Sequence, residues 1–459
     1  MKNVRAKDIV EAVGGRLLCG DPETLIENIS IDSRTMKGRD LFVPIRGAKV
    51  DAHRFIPGAF AAGAAATFTS EDEEKEDTHP WIRVDDTVRA LQALGAWYRE
   101  RLTMPIVGIT GSVGKTTTRE MITAALSAGK RVYSTHGNSN GQLGVPLTIS
   151  EADLSAEVAV LEMGMSEPGE MPRIAAIARP QIAVVTNIGV SHIENLGSRE
   201  NICREKLHIT DFFEPDNVLI FNGDDDLLPA WRDNGRFRTV SFGQGPENEY
   251  RAEDIHQEGG RTCFTVRAGE RSLALSLGVP GLHNVMNALA ALATADQCGV
   301  DMAAAAEKLA EFHGFDRRLQ VFGEGGYTYI DDTYNASPDS MRAALQVLAE
   351  TPAAGRRIAV LADMLELGPD APEYHRQIGA YAAKLPVDRV FLVGDLAKNI
   401  GRGLEEAGRT AVYCENNREA AEQIRVCRRP GDVILLKGSN GMHLGEVLAA
   451  LRDGKAEQN

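Results

Sequence analysis

The segment Ile106-Val107-Gly108-Ile109-Thr110-Gly111-Ser112-Val113-Gly114-Lys115-Thr116-Thr117-Thr118 has the pattern of an apolar strand, a glycine-rich turn and the start of a helix. The two glycines of the turn allow backbone N–H groups to converge on an anion, Lys115 can reach the β- and γ-phosphates, and Thr116 can place its hydroxyl on Mg²⁺. Ile109 stands where the general phosphate-loop pattern has its first glycine, so the match is incomplete. We predict a nucleotide site formed by Thr110, Gly111, Ser112, Val113, Gly114, Lys115, Thr116 and Thr117.

Strands alternate with helical patterns downstream of this segment. Apolar runs at residues 158–161, 182–185 and 218–221 predict a mostly parallel sheet with right-handed crossovers, as in P-loop ATPases. A second series begins near residue 315, with strands predicted at residues 328–330, 358–361, 390–393, 411–413 and 433–436. This second series predicts a Rossmann-like, doubly wound domain.

The chain is long enough for about three domains. Residues 1–84 combine short apolar runs with turns, and an amphipathic helix is predicted next from the spacing of Val88, Leu91, Leu94 and Trp97. We therefore predict an α/β protein with a small N-terminal domain (1–84), a central domain (85–314) and a C-terminal domain (315–459).

The composition and net charge of the chain argue against several classes of function. A net charge of −15 argues against non-specific binding to nucleic acid or anionic lipid, although local basic sites for phosphate remain compatible with it. The six cysteines form no CxxC pair, which argues against a zinc site of that type and against a secreted disulfide framework. No apolar run approaches the length of a membrane span. We expect a cytoplasmic monomer that binds neither nucleic acid nor membrane.

Two metal-binding side chains follow predicted strands. Glu162 stands at the end of the 158–161 strand, where an open parallel sheet keeps its ligands, and His192 follows the next strand. A carboxylate there can bind Mg²⁺ directly or through water. On spacing alone, a solvated strand-end glutamate and an ordinary loop histidine are the alternatives.

Four motifs together resemble the Mur ligases of peptidoglycan synthesis. They are residues 110–116, residues 162–164 (Glu-Met-Gly), residues 186–188 with Ser191-His192, and Gly281-x-His283-Asn284-x-x-Asn287-Ala288. Residues 331–341 (Asp-Asp-Thr-Tyr-Asn-Ala-Ser-Pro-Asp-Ser-Met) resemble the signature of those members that join D-alanyl-D-alanine to UDP-N-acetylmuramoyl-tripeptide. The resemblance implies a ligase that uses ATP and Mg²⁺, activates a carboxylate as an acyl phosphate, and binds these two substrates.

The resemblance also implies roles for individual residues at the reaction centre. It makes Lys115, Glu162, His192, Lys206 and Arg318 catalytic, and Thr116, Glu162, His192 and Lys206 metal ligands. Lys206 would act as a carbamate formed with CO2, because a carbamate converts a cation into a carboxylate-like ligand. Asn284 and Asn287 would contact adenine, and Arg318 and Asp332 the γ-phosphate and ribose across the cleft between two domains.

The substrates are assigned in the same way. Ser33, Arg34, Arg46 and Gly47 in the N-terminal domain would bind the UDP end, and Asn138 and Asn140 would lie beside the activated carboxylate. Tyr334, Asn335 and Lys437 would face the dipeptide in the C-terminal domain, which we expect to close over the central domain when nucleotide binds. The third residue of the tripeptide, lysine or diaminopimelate, is left open by the residues.

Other classes of protein fit the sequence less well. A regulatory GTPase is disfavoured because the chain lacks an NKxD motif for guanine, and a purely structural protein has no need of metal-type side chains at successive strand ends. Within the superfamily, the enzyme adding the third amino acid, folylpolyglutamate synthetases and cyanophycin synthetases remain the rivals. Gly141, Ala362 and Asn440 depart from the usual family residues, and Arg317 and Arg318 cannot be separated by position.

Overall fold

A computed structural model describes residues 1–47, 49–72 and 77–453 of the chain. It has the predicted α/β class, with three large sheets that follow one another along the chain and one two-stranded sheet near the N-terminus. None of the helices in these ranges combines the length and apolar character needed to span a lipid bilayer.

The first sheet has five strands in the order β2-β7-β6-β5-β4, and only its edge strand β2 runs antiparallel to its neighbour. A separate antiparallel pair, β1 with β3, lies beside it. The elements of this unit are β1 (Val4–Arg5), α1 (Ala6–Val13), β2 (Arg16–Cys19), β3 (Leu25–Ile26), β4 (Asn28–Ser30), β5 (Asp40–Phe42), α2 (Ile56–Ala61), β6 (Ala64–Thr69) and β7 (Trp81–Arg83).

The predicted amphipathic helix is α3 (Thr87–Arg99), which begins where the Asp86 side chain accepts hydrogen bonds from two backbone N–H groups. Its buried face includes Leu91, Leu94 and Tyr98. The helix packs against α1 of the first unit and against two helices of the second, so it joins the two units.

The central sheet has nine strands in the order β16-β15-β14-β13-β12-β11-β8-β10-β9. Its elements are β8 (Ile106–Thr110), α4 (Lys115–Ser127), β9 (Val132–Ser134), α5 (Gly144–Glu151), β10 (Val158–Glu162), α6 (Glu170–Ala178), β11 (Ile182–Val185), α7 (Ile193–Leu196), α8 (Arg199–Leu207), β12 (Val218–Asn222), β13 (Arg238–Gly243), β14 (Tyr250–Glu258), β15 (Arg261–Ala268), β16 (Arg271–Leu277), α9 (Leu282–Gln297) and α10 (Met302–Ala310).

Parallel pairing runs from β9 to β14, which confirms the predicted mostly parallel sheet. Strands β8, β10 and β11 are buried along their whole length, because helices cover both faces, and their carboxyl ends meet at one edge. The remaining pairs, β14 with β15 and β15 with β16, are antiparallel. The sequence interpretation did not include this antiparallel extension.

The third sheet has six strands in the order β17-β18-β22-β19-β20-β21, of which only β17 is antiparallel to its neighbour. Apolar clusters pack on both of its faces, as expected for a doubly wound domain. Its elements are β17 (Gln320–Glu324), β18 (Tyr327–Asp332), α11 (Pro338–Glu350), β19 (Arg357–Ala362), α12 (Ala371–Ala383), β20 (Arg389–Val393), α13 (Lys398–Glu406), β21 (Val412–Cys414), α14 (Asn417–Cys427), β22 (Val433–Lys437) and α15 (Gly445–Asp453). Short 3-10 turns occur at Ala52–Phe55, His208–Thr210, Leu228–Trp231, Gly368–Asp370 and Asn440–Met442.

Candidate active site

The phosphate turn lies between β8 and α4, as the sequence predicts. Gly111 and Gly114 have φ angles of 148° and 86°, which residues other than glycine rarely adopt. The turn is fixed by Asn187, which accepts hydrogen bonds from Ser112 N at 3.0 Å and, through Oδ1, from Val113 N at 2.9 Å. The first turn of α4 therefore presents backbone N–H groups and the positive end of a helix to an anion.

Lys115 and Thr116 open this helix. The Lys115 ammonium donates a hydrogen bond to the Gly111 carbonyl at 2.8 Å, so it lies over the turn. Burial lowers the pKa of Lys115, while the nearby Glu162 carboxylate partly opposes that effect. Thr116 is 3% exposed, and its hydroxyl points to the edge where the strands end.

Glu162 ends β10 and is 1% exposed. Its carboxylate accepts hydrogen bonds from Asn140 Nδ2 at 2.8 Å and from Arg119 Nη1 at 3.3 Å. Arg119, also 1% exposed, donates to the Gly137 carbonyl at 2.9 Å and thus holds the loop that carries Asn140. Sequence analysis did not identify Arg119, although its place one turn after Lys115 in α4 was a usable signal.

His192 lies immediately before α7 with a φ of 64°. Its Nδ1 is 2.6 Å from Glu366 Oε2 of the third unit, and this contact with the histidine lowers the pKa of Glu366. Glu366 was not identified from the sequence as a partner of the site. The contact connects the central and third units on the side of the cleft where α7 begins.

Lys206 lies on α8 and is 1% exposed. Burial, together with the positive charge of Lys115, holds the pKa of Lys206 well below its ordinary value of 10.5. A lysine with such a pKa carries a neutral amine over a much wider pH range than an exposed lysine does. Lys206 is not among the residues that line the cleft, but the charge of Lys115, which does line it, acts on the Lys206 side chain.

Arg318 and Arg317 have different surroundings. Arg318 donates from Nη2 to Thr116 Oγ1 at 3.0 Å, and its guanidinium stacks 3.8 Å from the Tyr334 ring centre. Arg318 Nε is buried, and no atom of the described chain accepts a hydrogen bond from it, which is typical of a donor that serves a ligand. Arg317 instead donates to the Thr333 carbonyl at 2.8 Å, so it supports the backbone beside the site.

Asp332 and Lys437 form a buried ion pair at the ends of β18 and β22. The Lys437 ammonium lies 2.5 Å from Asp332 Oδ2 and donates to the Asn335 carbonyl at 2.9 Å. His283 also lines this part of the cleft, and burial lowers its pKa to about 4, so the imidazole is neutral at physiological pH. His283 belongs to one of the four family-like motifs, but the sequence predicts no role for it.

Asn284 and Asn287 lie on the first turns of α9. Asn284 Nδ2 donates to the Pro280 carbonyl at 2.7 Å, and Asn287 Oδ1 accepts from Thr118 Oγ1 at 3.0 Å. Asn287 therefore joins α9 to α4 directly behind the phosphate turn.

Most of the predicted site residues line one cleft of about 540 Å³. It is lined by Ser112, Val113, Gly114, Lys115, Thr116, Thr117, Asn138, Asn140, Glu162, His192, Asn284, Asn287, Arg318, Asp332, Tyr334, Asn335 and Lys437, among others. Seven predicted residues are not among its lining residues: Thr110, Gly111, Lys206, Ser33, Arg34, Arg46 and Gly47.

In the first unit, Ser33 is partly buried, and Arg34, Arg46 and Gly47 are exposed to solvent. Arg34 is paired with Asp32, the closest approach being 2.6 Å, and Arg46 Nε donates to Asp51 Oδ2 at 2.9 Å. Asp51 also contacts His53 Nδ1 at 2.5 Å. The two arginines are exposed, each is paired with an aspartate, and neither lines the cleft.

Comparison with known proteins shows the family of the chain. Residues 109–295 match the Mur ligase middle domain, residues 317–440 the Mur ligase, glutamate ligase domain, and residues 25–99 the Mur ligase family, catalytic domain. Over 451 residues the chain is 38% identical to the UDP-N-acetylmuramoyl-tripeptide--D-alanyl-D-alanine ligase of Bacillus subtilis (strain 168), with 97% of each chain covered. The chain belongs to the Mur ligase family.

Solved structures of related proteins have the same architecture as this Mur ligase. It superposes on MurF from Acinetobacter baumannii with a TM-score of 0.90 at 31% identity, covering 98% of both chains. With the MurF ligase from Thermotoga maritima in complex with ADP, the TM-score is 0.83 at 27% identity, covering 94% of this chain and 98% of that chain. The family and the three-unit α/β fold predicted from the sequence are therefore confirmed.

Proposed function

We propose that this Mur ligase joins D-alanyl-D-alanine to UDP-N-acetylmuramoyl-tripeptide with the consumption of ATP, giving a new amide, ADP and phosphate. The observation that carries the proposal is the cleft that places Arg318 of the third unit on Thr116 of the phosphate turn. The substrates are those in the name of the Bacillus subtilis relative, which aligns over 97% of both chains. We also propose that the enzyme is a cytoplasmic monomer.

The nucleotide is proposed to bind with its phosphates on the turn at residues 110–117. Lys115 and Arg318 both line the cleft and are proposed to neutralise charge on the γ-phosphoryl group as it is transferred. Asn284 and Asn287 are proposed to lie on the adenine side and Asp332 on the ribose side. Asn287, already bound to Thr118, would act mainly by holding α9 against α4.

The cleft contains donors that suit Mg²⁺. The hydroxyl of Thr116, the carboxylate of Glu162 and the imidazole of His192 all line it, and Mg²⁺ favours a few protein oxygens together with phosphates and water. We propose these three residues as ligands. When bound, the metal would supply positive charge next to the phosphates and to the substrate carboxylate.

Lys206 is proposed to be a carbamate. Its lowered pKa increases the fraction of neutral amine, which can add to CO2 to form an N–C bond with the release of one proton. The product is an anionic oxygen ligand in place of a buried amine. The burial of the side chain would protect the carbamate from water.

The remaining assignments concern the two substrates. Ser33, Arg34, Arg46 and Gly47 are proposed to bind the UDP end. Arg34 and Arg46 are exposed, and each would exchange its aspartate partner for an oxygen of the diphosphate. Asn138 and Asn140 lie next to Glu162 and are proposed to orient the tripeptide carboxylate. Tyr334, Asn335 and Lys437 are proposed to face the dipeptide from the third unit.

The chemistry then needs no protein nucleophile. An oxygen of the tripeptide carboxylate attacks the γ-phosphorus, the bond from that phosphorus to the bridging oxygen of ADP breaks, and an acyl phosphate forms. The free amine of the dipeptide attacks the acyl carbon, and the tetrahedral intermediate expels phosphate as the amine loses its proton. Positioning across the cleft and electrostatic stabilisation account for the catalysis.

The test is phosphate release from ATP in the presence of UDP-N-acetylmuramoyl-tripeptide, with and without D-alanyl-D-alanine. Tripeptides ending in lysine and in diaminopimelate form two arms of the assay. We expect release that requires both substrates and that is lost in Lys115→Ala. Release driven by a single amino acid or by glutamate in place of the dipeptide would overturn the proposed acceptor while keeping the ligase class.

A further inference from the structure

Three side chains with metal-binding atoms lie together on the antiparallel extension of the central sheet. His256 and Glu258 belong to β14 and Cys263 to β15, and one ligand atom from each lies within 4.8 Å of the others. His256 stands directly opposite Cys263 in the strand register, and Glu258 follows two residues later. Because side chains alternate along a strand, all three lie on one face of the sheet.

This face is open to solvent. Along β15, Thr262, Phe264 and Val266 are buried towards the helices on the other face, whereas Cys263 is only partly buried. His256 and Glu258 are exposed. None of the three lines the cleft described above, so this cluster is separate from the proposed reaction centre.

The backbone selects one tautomer of the neutral histidine ring. His256 Nδ1 lies 2.7 Å from the Asp254 carbonyl oxygen, and because a carbonyl only accepts, Nδ1 carries the proton in that tautomer and Nε2 has the lone pair. Asp254 has a φ of 53°, and the strand register shifts between Glu253 and His256, which brings that carbonyl under the ring. Metal-binding histidines are commonly oriented in this way by a backbone carbonyl.

We propose that His256 Nε2, the Glu258 carboxylate and the Cys263 thiolate bind one Zn²⁺, with water as the fourth ligand. A mixed set of nitrogen, oxygen and sulfur ligands suits Zn²⁺, whereas Mg²⁺ and Ca²⁺ prefer oxygen alone. His256 Nε2 is 4.0 Å from Glu258 Oε2, close to the roughly 3–4 Å that separates ligands in a tetrahedral zinc site. The exposed side chains need only small rotations to close on the ion.

Neighbouring groups leave these ligands available. Arg261 stands opposite Glu258 in the register, but its guanidinium donates to Ser276 and to the Ala310 carbonyl. Cys263 Sγ has a weak contact with Ser276 Oγ at 3.5 Å. On binding, a Zn–S bond forms and the thiol proton passes to water, so the apparent affinity rises with pH.

The test uses the full chain stripped of metal, with excess Mg²⁺ added to occupy oxygen-rich sites. Zn²⁺ is titrated against a chromophoric chelator, and Co²⁺ serves as a spectroscopic probe because its bond to a thiolate absorbs in the near ultraviolet. The variants are Cys263→Ser and His256→Asn, and the matched control is Cys427→Ser, since Cys427 is also partly buried and free.

We expect the wild type and the control to bind one Zn²⁺ that Cys263→Ser and His256→Asn bind at least about 10-fold more weakly. The Co²⁺ absorption band should be lost in Cys263→Ser and kept in Cys427→Ser. Zn²⁺ should also raise the thermal midpoint of the wild type and leave that of Cys263→Ser unchanged. Equal Zn²⁺ stoichiometry and affinity in the wild type and Cys263→Ser would overturn the site.

Discussion

Arg318 Nη2 donates a hydrogen bond to Thr116 Oγ1 at 3.0 Å, although the two residues lie 202 positions apart in the chain. Thr116 opens the helix of the phosphate turn, and Arg318 precedes the first strand of the third sheet. The contact brings a guanidinium with an unpaired Nε into the wall of the cleft. Residues of the central unit and of the third unit thus meet in a single candidate reaction centre.

Replacement of Arg318 by alanine should reduce kcat by about 100- to 1000-fold, because it would remove the preorganised cation that we propose for the transferring phosphoryl group. Steady-state phosphate release at saturating ATP measures the effect. Arg418→Ala is the matched control, since Arg418 is an exposed arginine of the same unit, and it should keep the wild-type rate. Equal rates for the two variants would remove Arg318 from the reaction centre.

Nucleotide should bring the third unit closer to the central unit, because Arg318 and Lys437 line the same cleft as the phosphate turn. Small-angle scattering with an ATP analogue and the UDP substrate should give a smaller radius of gyration than scattering without them. Superimposable profiles in the two states would contradict this expectation.

Lys206 should carry a carbamate carbon. After incubation with ¹³C-bicarbonate, nuclear magnetic resonance should detect a carbamate signal in the wild type that is missing in Lys206→Ala and present in Lys308→Ala, which changes an exposed lysine. Because only the neutral amine reacts, the signal should decrease as pH falls through the lowered pKa of Lys206. A short carboxylic acid should partly restore the activity of Lys206→Ala. An identical signal in that variant would place the carbamate elsewhere.

His283 should make folding stability depend on pH in the acidic range. Its pKa is about 4 in the folded chain and 6.5 without burial, so between these values the unfolded chain binds one more proton. Stability from this group is therefore fully present above pH 6.5 and is lost as pH falls towards 4, by roughly 3 kcal/mol in total.

Urea unfolding of the wild type and of His283→Gln at pH 7 and pH 4.5 measures this dependence. The variant should lose less stability than the wild type over the same interval. His208→Gln, which changes a histidine with a side chain 37% exposed, should retain the wild-type dependence. An unchanged dependence in His283→Gln would show that other groups cause it.

Gly111→Ala should disrupt the phosphate turn. A Cβ at this position would lie 1.9 Å from Thr186 Oγ1, at a φ of 148° that alanine rarely adopts. We expect a loss of stability of about 1–3 kcal/mol and at least about 10-fold weaker ADP binding, measured by chemical unfolding and calorimetry. Gly58→Ala in α2 has open space around its Cβ and should leave both quantities near the wild-type values. Wild-type ADP affinity in Gly111→Ala would mean that the turn is not the phosphate site.

The parallel strands were the most predictable part of the fold. The apolar run at residues 182–185 is the strand Ile182–Val185 without any shift, because a strand covered by helices on both faces is apolar at every position. By contrast, β14 and β15 are covered on one face only, so buried and exposed positions alternate along them and no continuous apolar run marks them. The antiparallel extension was missed for this reason.

The site residues that form the phosphate turn are local in sequence and were predicted as a group. Arg119 and Glu366 were not, because each acts on a partner contributed by a distant segment, Glu162 in one case and His192 in the other. Sequence position could not separate Arg317 from Arg318 either. Arg317 has a φ of 60°, and this local bend sends the two adjacent side chains to different partners.

An interior position of the third sheet belongs to β22, the last of its strands in the chain. Strand β22 lies between β18 and β19, so the two earlier strands have no common neighbour until Val433–Lys437 has been translated. The same strand delivers Lys437 to Asp332. A chain that ends before residue 433 therefore lacks the strand that joins β18 to β19, and its Asp332 carboxylate lacks the ammonium that pairs with it.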